Sequence, residues 1–175
     1  MDKPEPAIVA ELKKFLRMIP QPVTVITTIH NGTLAGITVS SFTSISMNPP
    51  VVMVSLSKTA PSHDAFVSGG KFVVNLLNSG QDFLAERFAG MHKIADKFHE
   101  VKLDFNQRGL PVLEDCAANI DCDVSKTVSA GDHTIILGTP VSINIKKRSE
   151  PLVYYNQQFS RVANKGALVL PEDYS

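Results

Sequence analysis

The first segment of the chain repeats apolar residues at helical spacing. One face collects them at intervals of three, four and seven positions: Ile8, Leu12, Phe15, Leu16 and Ile19. Charged residues such as Lys14 fill the intervening positions. Because proline cannot continue a helix, Pro20 marks its end. The pattern predicts an amphipathic helix over about residues 6–19.

Beyond this helix, runs rich in valine, isoleucine and threonine alternate with turn residues. Val23–Ile29 and Thr33–Val39 flank Asn31-Gly32, and this dipeptide favours a tight hairpin turn because both of its positions tolerate positive φ. The continuous apolar run Val51–Ser57 predicts a strand buried on both faces. Further predicted strands cover residues 41–47, 71–77, 118–125 and 141–146.

Short helices are predicted over about residues 61–68 and 81–88, whereas residues 91–113 are expected to be loop with short helical pieces. Strands mostly follow one another directly, which favours an antiparallel barrel over a doubly wound parallel sheet. No Gly-x-Gly-x-x-Gly follows a strand, so a Rossmann-type dinucleotide site is not expected. Without a repeat or linker, we expect one domain over residues 1–175, with the barrel at about 22–160.

Charge and composition restrict the function classes. Lysine plus arginine equals aspartate plus glutamate at 17 each, so no net field attracts nucleic acid or a membrane. Charged residues make up only 19% of the chain, a low share that suggests surface hidden in an oligomer. Residues 1–6 lack the pattern of a signal peptide, and no apolar run is long enough to span a bilayer. A cytoplasmic protein is expected.

The sequence gives little support for a metal site or for a catalytic nucleophile. The five histidines form no pair at helical metal-ligand spacing, so no metal site is expected. The two cysteines, Cys116 and Cys122, lie six positions apart, which would place both on one face of a strand as buried apolar residues. No Gly-x-Ser-x-Gly elbow is present, so a hydrolase is not favoured.

Hydroxyl side chains concentrate in two segments, Thr38–Ser46 and Ser55–Ser62, and the second contains Lys58. At strand ends they would join backbone N–H groups and the lysine ammonium in holding a phosphate. Alternatively, serine and threonine simply favour strands and turns here. The element Gly131-Asp132-His133 leaves a similar choice, because His133 would either project into a cleft or lie exposed in a turn.

Several motifs in one order resemble the flavin reductase-like family, the small reductases that supply reduced flavin to two-component monooxygenases. The resemblance covers about residues 12–160. It is carried by Val23–Thr28, Gly36–Ser46, Asn48–Pro50, Val52–Ser57, Gly70–Leu77, Leu84–Gly90, and Gly131–His133 with Gly138.

The resemblance implies a mainly β fold: a six-stranded antiparallel Greek-key split barrel with short peripheral helices, assembled as a homodimer. It implies that residues 38–43 line the flavin ring, residues 55–59 hold the ribityl chain and phosphate, and His133 contacts the nicotinamide cofactor. Tyr154 or Tyr155 would close the site. The implied flavin-contacting residues are Gly36, Thr38, Val39, Ser40, Ser41, Phe42, Thr43, Ser55, Ser57, Lys58, Thr59, Arg87, Phe88 and Tyr155.

The activity implied is hydride transfer from NADH or NADPH to FMN or FAD, with a flavin-dependent monooxygenase as the functional partner. NADH is favoured over NADPH, because the sequence has no obvious arginine cluster that would bind the 2′-phosphate of NADPH. The same fold also admits a tightly bound flavin that reduces ferric or other acceptors or carries electrons, an oxidase of pyridoxamine phosphate, and a flavin-binding module without turnover.

Overall fold

The computed structural model of the protein describes residues 6–91, 94–147 and 149–162. Three helices lie among them: α1 Ala7–Arg17, α2 His63–Ser68 and α3 Asp82–Ala89. The first matches the predicted amphipathic helix, although none of its side chains is buried. The last ends at Gly90, whose φ of 78° is the left-handed conformation that glycine adopts most easily.

Twelve strands make up the rest of the regular structure: β1 Gln21–Pro22, β2 Thr24–His30, β3 Thr33–Val39, β4 Thr43–Met47, β5 Pro50–Ser57, β6 Lys71–Leu76, β7 Leu103–Phe105, β8 Pro111–Leu113, β9 Ala118–Ala130, β10 His133–Ile145, β11 Leu152–Tyr155 and β12 Gln158–Arg161. Seven of them form one sheet in the order β3-β2-β6-β9-β10-β5-β4, and every neighbouring pair is antiparallel. A three-stranded sheet, β1-β11-β12, and the two-stranded β7-β8 complete the described part.

The long sheet curls around an apolar interior. Strands β2, β3, β5, β6, β9 and β10 each contribute to one buried cluster, and Phe66 of α2 enters it with no exposed surface. Ser41, in the β3–β4 connection, bonds to β5: its hydroxyl donates to the carbonyl of Ser55 and accepts from the N–H of Ser55. Strand β4 pairs only with Pro50–Met53 of β5, so the second half of β5 lies near β3 without backbone pairing between them in the described chain, and a gap is left there. We call this gap the split.

A second apolar cluster lies outside the barrel. Val25 of β2 faces it, while the next residue, Ile26, faces the barrel interior. Leu84, Ala85 and Phe88 of α3 supply the opposite side of this cluster, so the helix packs across β2 and β3. The helix thereby fixes the outer surface of β3.

The mainly β, antiparallel architecture with few helices is confirmed, whereas the expected six strands are not the observed count, because the main sheet has seven. Residues 91–113 were expected to be loop with helical pieces, but the β7-β8 hairpin lies there. The prediction missed this hairpin because each of its strands has only three residues. Its turn is held by the Asn106 carboxamide oxygen, which accepts hydrogen bonds from the N–H groups of Arg108 and Leu110.

Two further expectations were wrong. From Val51 to Ser57, strand β5 alternates between half-buried and buried residues instead of being buried on both faces. Cys116 precedes β9, so it does not share a strand face with Cys122. Both cysteines are nevertheless buried, as expected, and burial raises the pKa of each thiol to about 12.

Candidate functional site

The split brings two of the predicted binding segments together. Ser41 and Ser55 are joined by the pair of hydrogen bonds described above, at 3.1 and 2.9 Å. Since Ser41 lies in the predicted ring-binding segment and Ser55 in the predicted ribityl-binding segment, the structure makes them one continuous surface. The Ser41 hydroxyl thus links the two segments at this end of the split.

The end of β5 presents further hydroxyls. Ser57 and Thr59 hydrogen-bond to each other at 2.9 Å, and the Ser57 hydroxyl also accepts from the Thr59 N–H. Outward residues of an antiparallel strand recur at every second position, so Ser55 and Ser57 share a face. These groups remain partly or fully exposed and keep hydrogen-bonding capacity toward solvent.

His133 lies beside the same face. It is the first residue of β10 and pairs directly with Ser57 of β5, so the two side chains project to the same side of the sheet. The His133 Nδ1 atom lies 2.7 Å from a carboxylate oxygen of Asp132. This hydrogen bond is the main reason that the pKa of Asp132 lies below its usual value. An ionised Asp132 accepts from Nδ1–H, which leaves Nε2 of the ring for another partner.

Lys58 faces the turn between β9 and β10. Its ammonium lies 2.8 Å from the Ser129 hydroxyl and 2.6 Å from the carbonyl of Gly131. Its backbone N–H donates to the carbonyl of Asp132 at 2.9 Å. In this arrangement the lysine connects the end of β5 to the turn that carries His133.

Three of the predicted residues form a separate group behind β3. Phe88 is fully buried and packs edge-on against Phe98, with ring centroids 5.0 Å apart. A Cβ atom at Gly36 would lie 2.6 Å from the Phe88 ring, so glycine is required for the close approach of α3 to β3. Arg87 donates to the carbonyls of Lys97 and His99 and so holds the loop after α3.

The remaining residues of the predicted ring-binding segment differ in exposure. The Thr38 hydroxyl donates to the carbonyl of Ala85 in α3 at 2.7 Å, and Val39 is buried in the barrel. Ser40 is half-buried, Phe42 packs partly against the barrel core, and Thr43 is exposed. The segment therefore combines anchored positions with accessible ones.

Tyr155 stands apart from these groups in topology. It ends β11, in the three-stranded sheet, and 46% of its surface is exposed. Its neighbour Tyr154 packs against Phe159, with ring centroids 5.3 Å apart, and lines a small cavity with Leu16 and Arg17 of α1. The structure gives Tyr155 no hydrogen bond to the hydroxyls of the split among the described residues.

A cleft of about 700 Å³ opens next to the split. Gly36 and Ala35 of β3 form one wall, Pro61 and Ser62 form another, and Phe98 lies on the side of the α3 loop. The cleft shares β3 with the split, and none of the described residues that line it belongs to β5.

Two features of this region had not been singled out in the sequence. Ser129 holds the Lys58 ammonium from 71 positions away, and no local pattern announces such a contact. The loop at residues 96–98 covers Gly36 and Phe88, but its Asp-Lys-Phe sequence is too short to predict a packing role. Within the described ranges, no three His, Cys, Asp or Glu side chains come together as metal ligands.

Comparison with known proteins decides the family. Residues 16–163 match the model of the flavin reductase like domain. The chain belongs to the flavin reductase-like family. The resemblance of the motifs to this family is therefore confirmed.

Individual members of the family carry specific names. The chain is 36% identical over 154 residues to the actinorhodin polyketide dimerase of Streptomyces coelicolor, covering 87% of this chain and 86% of that protein. It is 32% identical over 144 residues to the reductase subunit of a flavin-dependent monooxygenase from Mycobacterium tuberculosis, covering 80% of this chain and 75% of that protein. A solved NADH:FAD oxidoreductase of Streptomyces globisporus, in complex with NAD and FAD fragments, is 27% identical with a TM-score of 0.85, over 95% of this chain and 100% of that one.

The groups around the split fit a flavin nucleotide. Strand β3 is an edge strand of the main sheet, so about half of its peptide groups face away from β2 and are available as donors and acceptors. The exposed hydroxyls of Ser57 and Thr59 suit a ribityl chain and a phosphate, which need many small donors. Every buried polar side-chain atom in the described chain already has a partner, so accessible groups of the split would do the binding.

Proposed function

We propose that this protein is an NAD(P)H:flavin oxidoreductase that reduces FMN or FAD and supplies the reduced flavin to a partner monooxygenase. The observation that carries the proposal is the direct pairing of His133 with Ser57. It sets the predicted nicotinamide-contacting residue beside the predicted flavin-contacting face. A hydride donor and a flavin acceptor would have to meet at such a junction.

The flavin, when bound, supplies the redox chemistry as a two-electron acceptor. The protein supplies position and polarity. Unpaired peptide groups of β3 and the hydroxyls near Ser41 would fix the ring and stabilise negative charge at its polar edge. The fixed position matters because a hydride donor must approach within roughly 3–3.5 Å of its acceptor atom.

The other residues of the site take supporting roles in this proposal. Ser55, Ser57 and Thr59 would hold the ribityl and phosphate groups. Buried Phe88 and the Thr38 hydroxyl, which is bonded to α3, would shape the site from behind. Tyr155 would approach the cofactors from the three-stranded sheet.

His133 would bind the nicotinamide cofactor through Nε2, because Asp132 engages Nδ1. We expect His133→Ala to raise the KM for NADH on the order of tenfold, with a much smaller effect on the KM for flavin. Steady-state NADH oxidation with FMN, FAD and riboflavin in turn measures both constants. A matched control is His99→Ala, whose side chain is 71% exposed beside Glu100. Equal effects of His133→Ala on both KM values would contradict the assigned role.

Preference between NADH and NADPH follows from charge. The 2′-phosphate that distinguishes NADPH lies on its adenosine ribose, and the arginines are scattered along the sequence instead of forming a cluster that could bind it. We therefore propose NADH as the physiological donor. Comparison of kcat/KM for NADH and NADPH at equal flavin concentration tests this preference, and a higher value for NADPH would reverse it.

We propose a homodimer of single-domain split-barrel subunits that works in the cytoplasm. The main sheet bears an apolar groove of about 450 Å³, and none of the side chains that line it is charged. Three of its lining residues are large, apolar and 51% to 79% exposed: Met47, Val141 and Ile143. Such a contiguous uncharged face marks an interaction surface. None of the described helices is long and apolar enough to cross a membrane.

The groove also involves Phe42, a predicted flavin-lining residue. A second copy seated there would cover part of the flavin-binding segment, so dimerisation and flavin affinity would be linked. Sedimentation of wild-type protein and of Ile143→Asp at matched concentration tests the interface. We expect the variant to shift toward monomer and to bind flavin more weakly.

A second candidate function follows from the 36% identity to a polyketide dimerase. In that case the flavin would stay bound and serve a reaction on an organic substrate in the same subunit. The colour of the purified protein distinguishes the two candidates. A colourless protein that oxidises NADH only when flavin is added supports a released product, whereas a yellow protein with stoichiometric flavin supports a retained cofactor.

A further inference from the structure

We propose that Lys58 is a positioning residue, which clamps the β9–β10 turn onto the end of β5 and so holds His133 in place for the nicotinamide cofactor. The inference rests on the proposed function, in which His133 contacts that cofactor. It assigns Lys58 a role different from the phosphate contact that the sequence suggests.

Three contacts make the clamp. The Lys58 ammonium donates to the Ser129 hydroxyl at 2.8 Å, near the end of β9, and to the Gly131 carbonyl at 2.6 Å, at the first residue of the turn. The Lys58 N–H donates to the Asp132 carbonyl at 2.9 Å. These bonds continue the β5–β10 pairing one residue past Ser57 and His133. They hold the turn from its β9 side and from its tip at once.

Most of the N–H donors of the Lys58 ammonium group are already bonded to the protein, which disfavours a phosphate as its main partner. An ammonium group has three N–H donors, and two of them already point at acceptors of this chain. One N–H therefore remains for a phosphate, and a phosphate that accepted from a second N–H would break a bond to the turn. The protein contacts thus limit how strongly Lys58 can bind a phosphate.

The Lys58 contacts add to the strand pairing at the turn, in which His133 pairs with Ala130 of β9 and with Ser57 of β5. Gly131 and Asp132 are exposed, and Gly131 adopts a positive φ of 58°. The neighbouring residues of β9, from Ser125 to Ala130, are all exposed. Flexible exposed turns sample many conformations unless side chains tie them to a rigid element. Strand β5, which packs in the barrel core through Leu56, is that element.

The ring of His133 depends on this restraint. Its backbone begins β10, and its Nδ1 is bonded to Asp132, the residue whose carbonyl Lys58 N–H holds. If the turn moves, the Asp132–His133 pair moves with it. Loss of the clamp would then reduce the fraction of molecules in which the ring is positioned for the nicotinamide.

The test uses the full-length protein and the variants Lys58→Met, Lys58→Arg and Ser129→Ala. We expect Lys58→Met to raise the KM for NADH about fivefold or more, with kcat and the Kd for FMN and FAD within about twofold of wild type. Ser129→Ala should shift the KM for NADH in the same direction by a smaller factor. Lys58→Arg should restore most of the wild-type value, because a guanidinium reaches the same acceptors.

Hydrogen exchange of flavin-free protein provides the independent readout. We expect faster exchange of the peptide covering residues 129–134 in Lys58→Met, and unchanged exchange in β6. A phosphate contact would not alter exchange in the absence of flavin. A rise in the Kd for FMN with no change for riboflavin, together with unchanged exchange in the turn, would overturn the clamp and restore the phosphate role.

The same measurements separate this inference from the proposed function. Wild-type protein that oxidises no NADH with FMN, FAD or riboflavin contradicts the proposed function itself. Wild-type protein that is active, with a Lys58→Met variant whose KM for NADH and turn exchange equal those of wild type, contradicts only the clamp.

Discussion

Gly36 tests how closely α3 must approach β3. A Cβ atom there would lie 2.6 and 2.8 Å from two ring carbons of Phe88 and 3.0 Å from Phe98. Carbon atoms in contact normally lie about 3.5–4.0 Å apart, so Gly36→Ala forces a displacement of roughly 1 Å. Phe88 has no exposed surface into which it can move. The helix or the α3 loop must therefore shift.

Two opposing contributions decide the size of the effect. Overpacking of a tight contact costs about 1–3 kcal/mol, whereas replacing glycine with alanine stabilises the folded state by about 0.4–1 kcal/mol through the unfolded chain. We expect a net loss of about 1–2 kcal/mol in the free energy of unfolding of Gly36→Ala, measured by urea denaturation. Gly80→Ala is the matched control, because its Cβ would meet only Asn78 at an ordinary 3.5 Å.

The double variant Gly36→Ala/Phe88→Leu gives the decisive comparison. A smaller side chain at Phe88 makes room for the new methyl group, so the two substitutions together should cost less than the sum of their separate effects. Additive losses, or a Gly36→Ala variant as stable as Gly80→Ala, would refute the packing role of Gly36. Normal stability with weakened flavin binding would instead indicate that Gly36 contacts the flavin directly.

Further substitutions and conditions probe other parts of the structure. Ser41→Ala should lower the free energy of unfolding by about 1–3 kcal/mol, because the N–H and the carbonyl of Ser55 both lose a partly buried partner. It should also weaken flavin binding. Denaturation measures the first effect and fluorescence titration the second, and unchanged flavin affinity would show that Ser41 is not part of the site. The buried thiols of Cys116 and Cys122 should resist a thiol reagent in native protein at pH 8 and react after unfolding, since their pKa is about 12; rapid modification of native protein would contradict the burial. The folded state keeps these thiols protonated, whereas in the unfolded chain the thiols ionise near pH 9. The free energy of unfolding of the wild type should therefore fall as the pH rises above 9. It should fall less in Cys116→Ala, which lacks one of the two thiols.

Local rules in the sequence explain much of the fold. The Asn31-Gly32 turn was predicted from the need for positive φ, and both residues adopt it, at 50° and 75°. The amphipathic spacing from Ile8 to Ile19 likewise located α1 within two residues at each end. Each of these features depends on residues that are close in sequence, which is why the pattern alone is sufficient.

Where long-range pairing decides the structure, the sequence was a poorer guide. Strands β9 and β10 run 13 residues each, well past the predicted ends, because residues 126–130 of β9 pair with residues 133–137 of β10. Lys126 and Ser129 show no apolar alternation, because residues 125–130 of β9 are exposed. Only the backbone pairing, which composition does not record, keeps them in strands.

The candidate site shows the same division. The hydroxyl-rich segments and the Gly-Asp-His element were found by composition and by resemblance. That Ser41 joins Ser55, and that Lys58 reaches Ser129, depends on how the sheet curls and on contacts between residues far apart in the chain. The close packing of Gly36 under Phe88 was likewise visible only in three dimensions, because a glycine in a strand has several possible causes.

Isothermal titration of the purified protein with FMN and with FAD tests the central claim most directly, namely that the split between β3 and β5 binds a flavin nucleotide. We expect saturable binding of at least one of them, weakened in Ser41→Ala and unaffected in the exposed-surface control His99→Ala. If neither nucleotide binds to the wild-type protein, the split is not a flavin site, and the proposed oxidoreductase function is wrong.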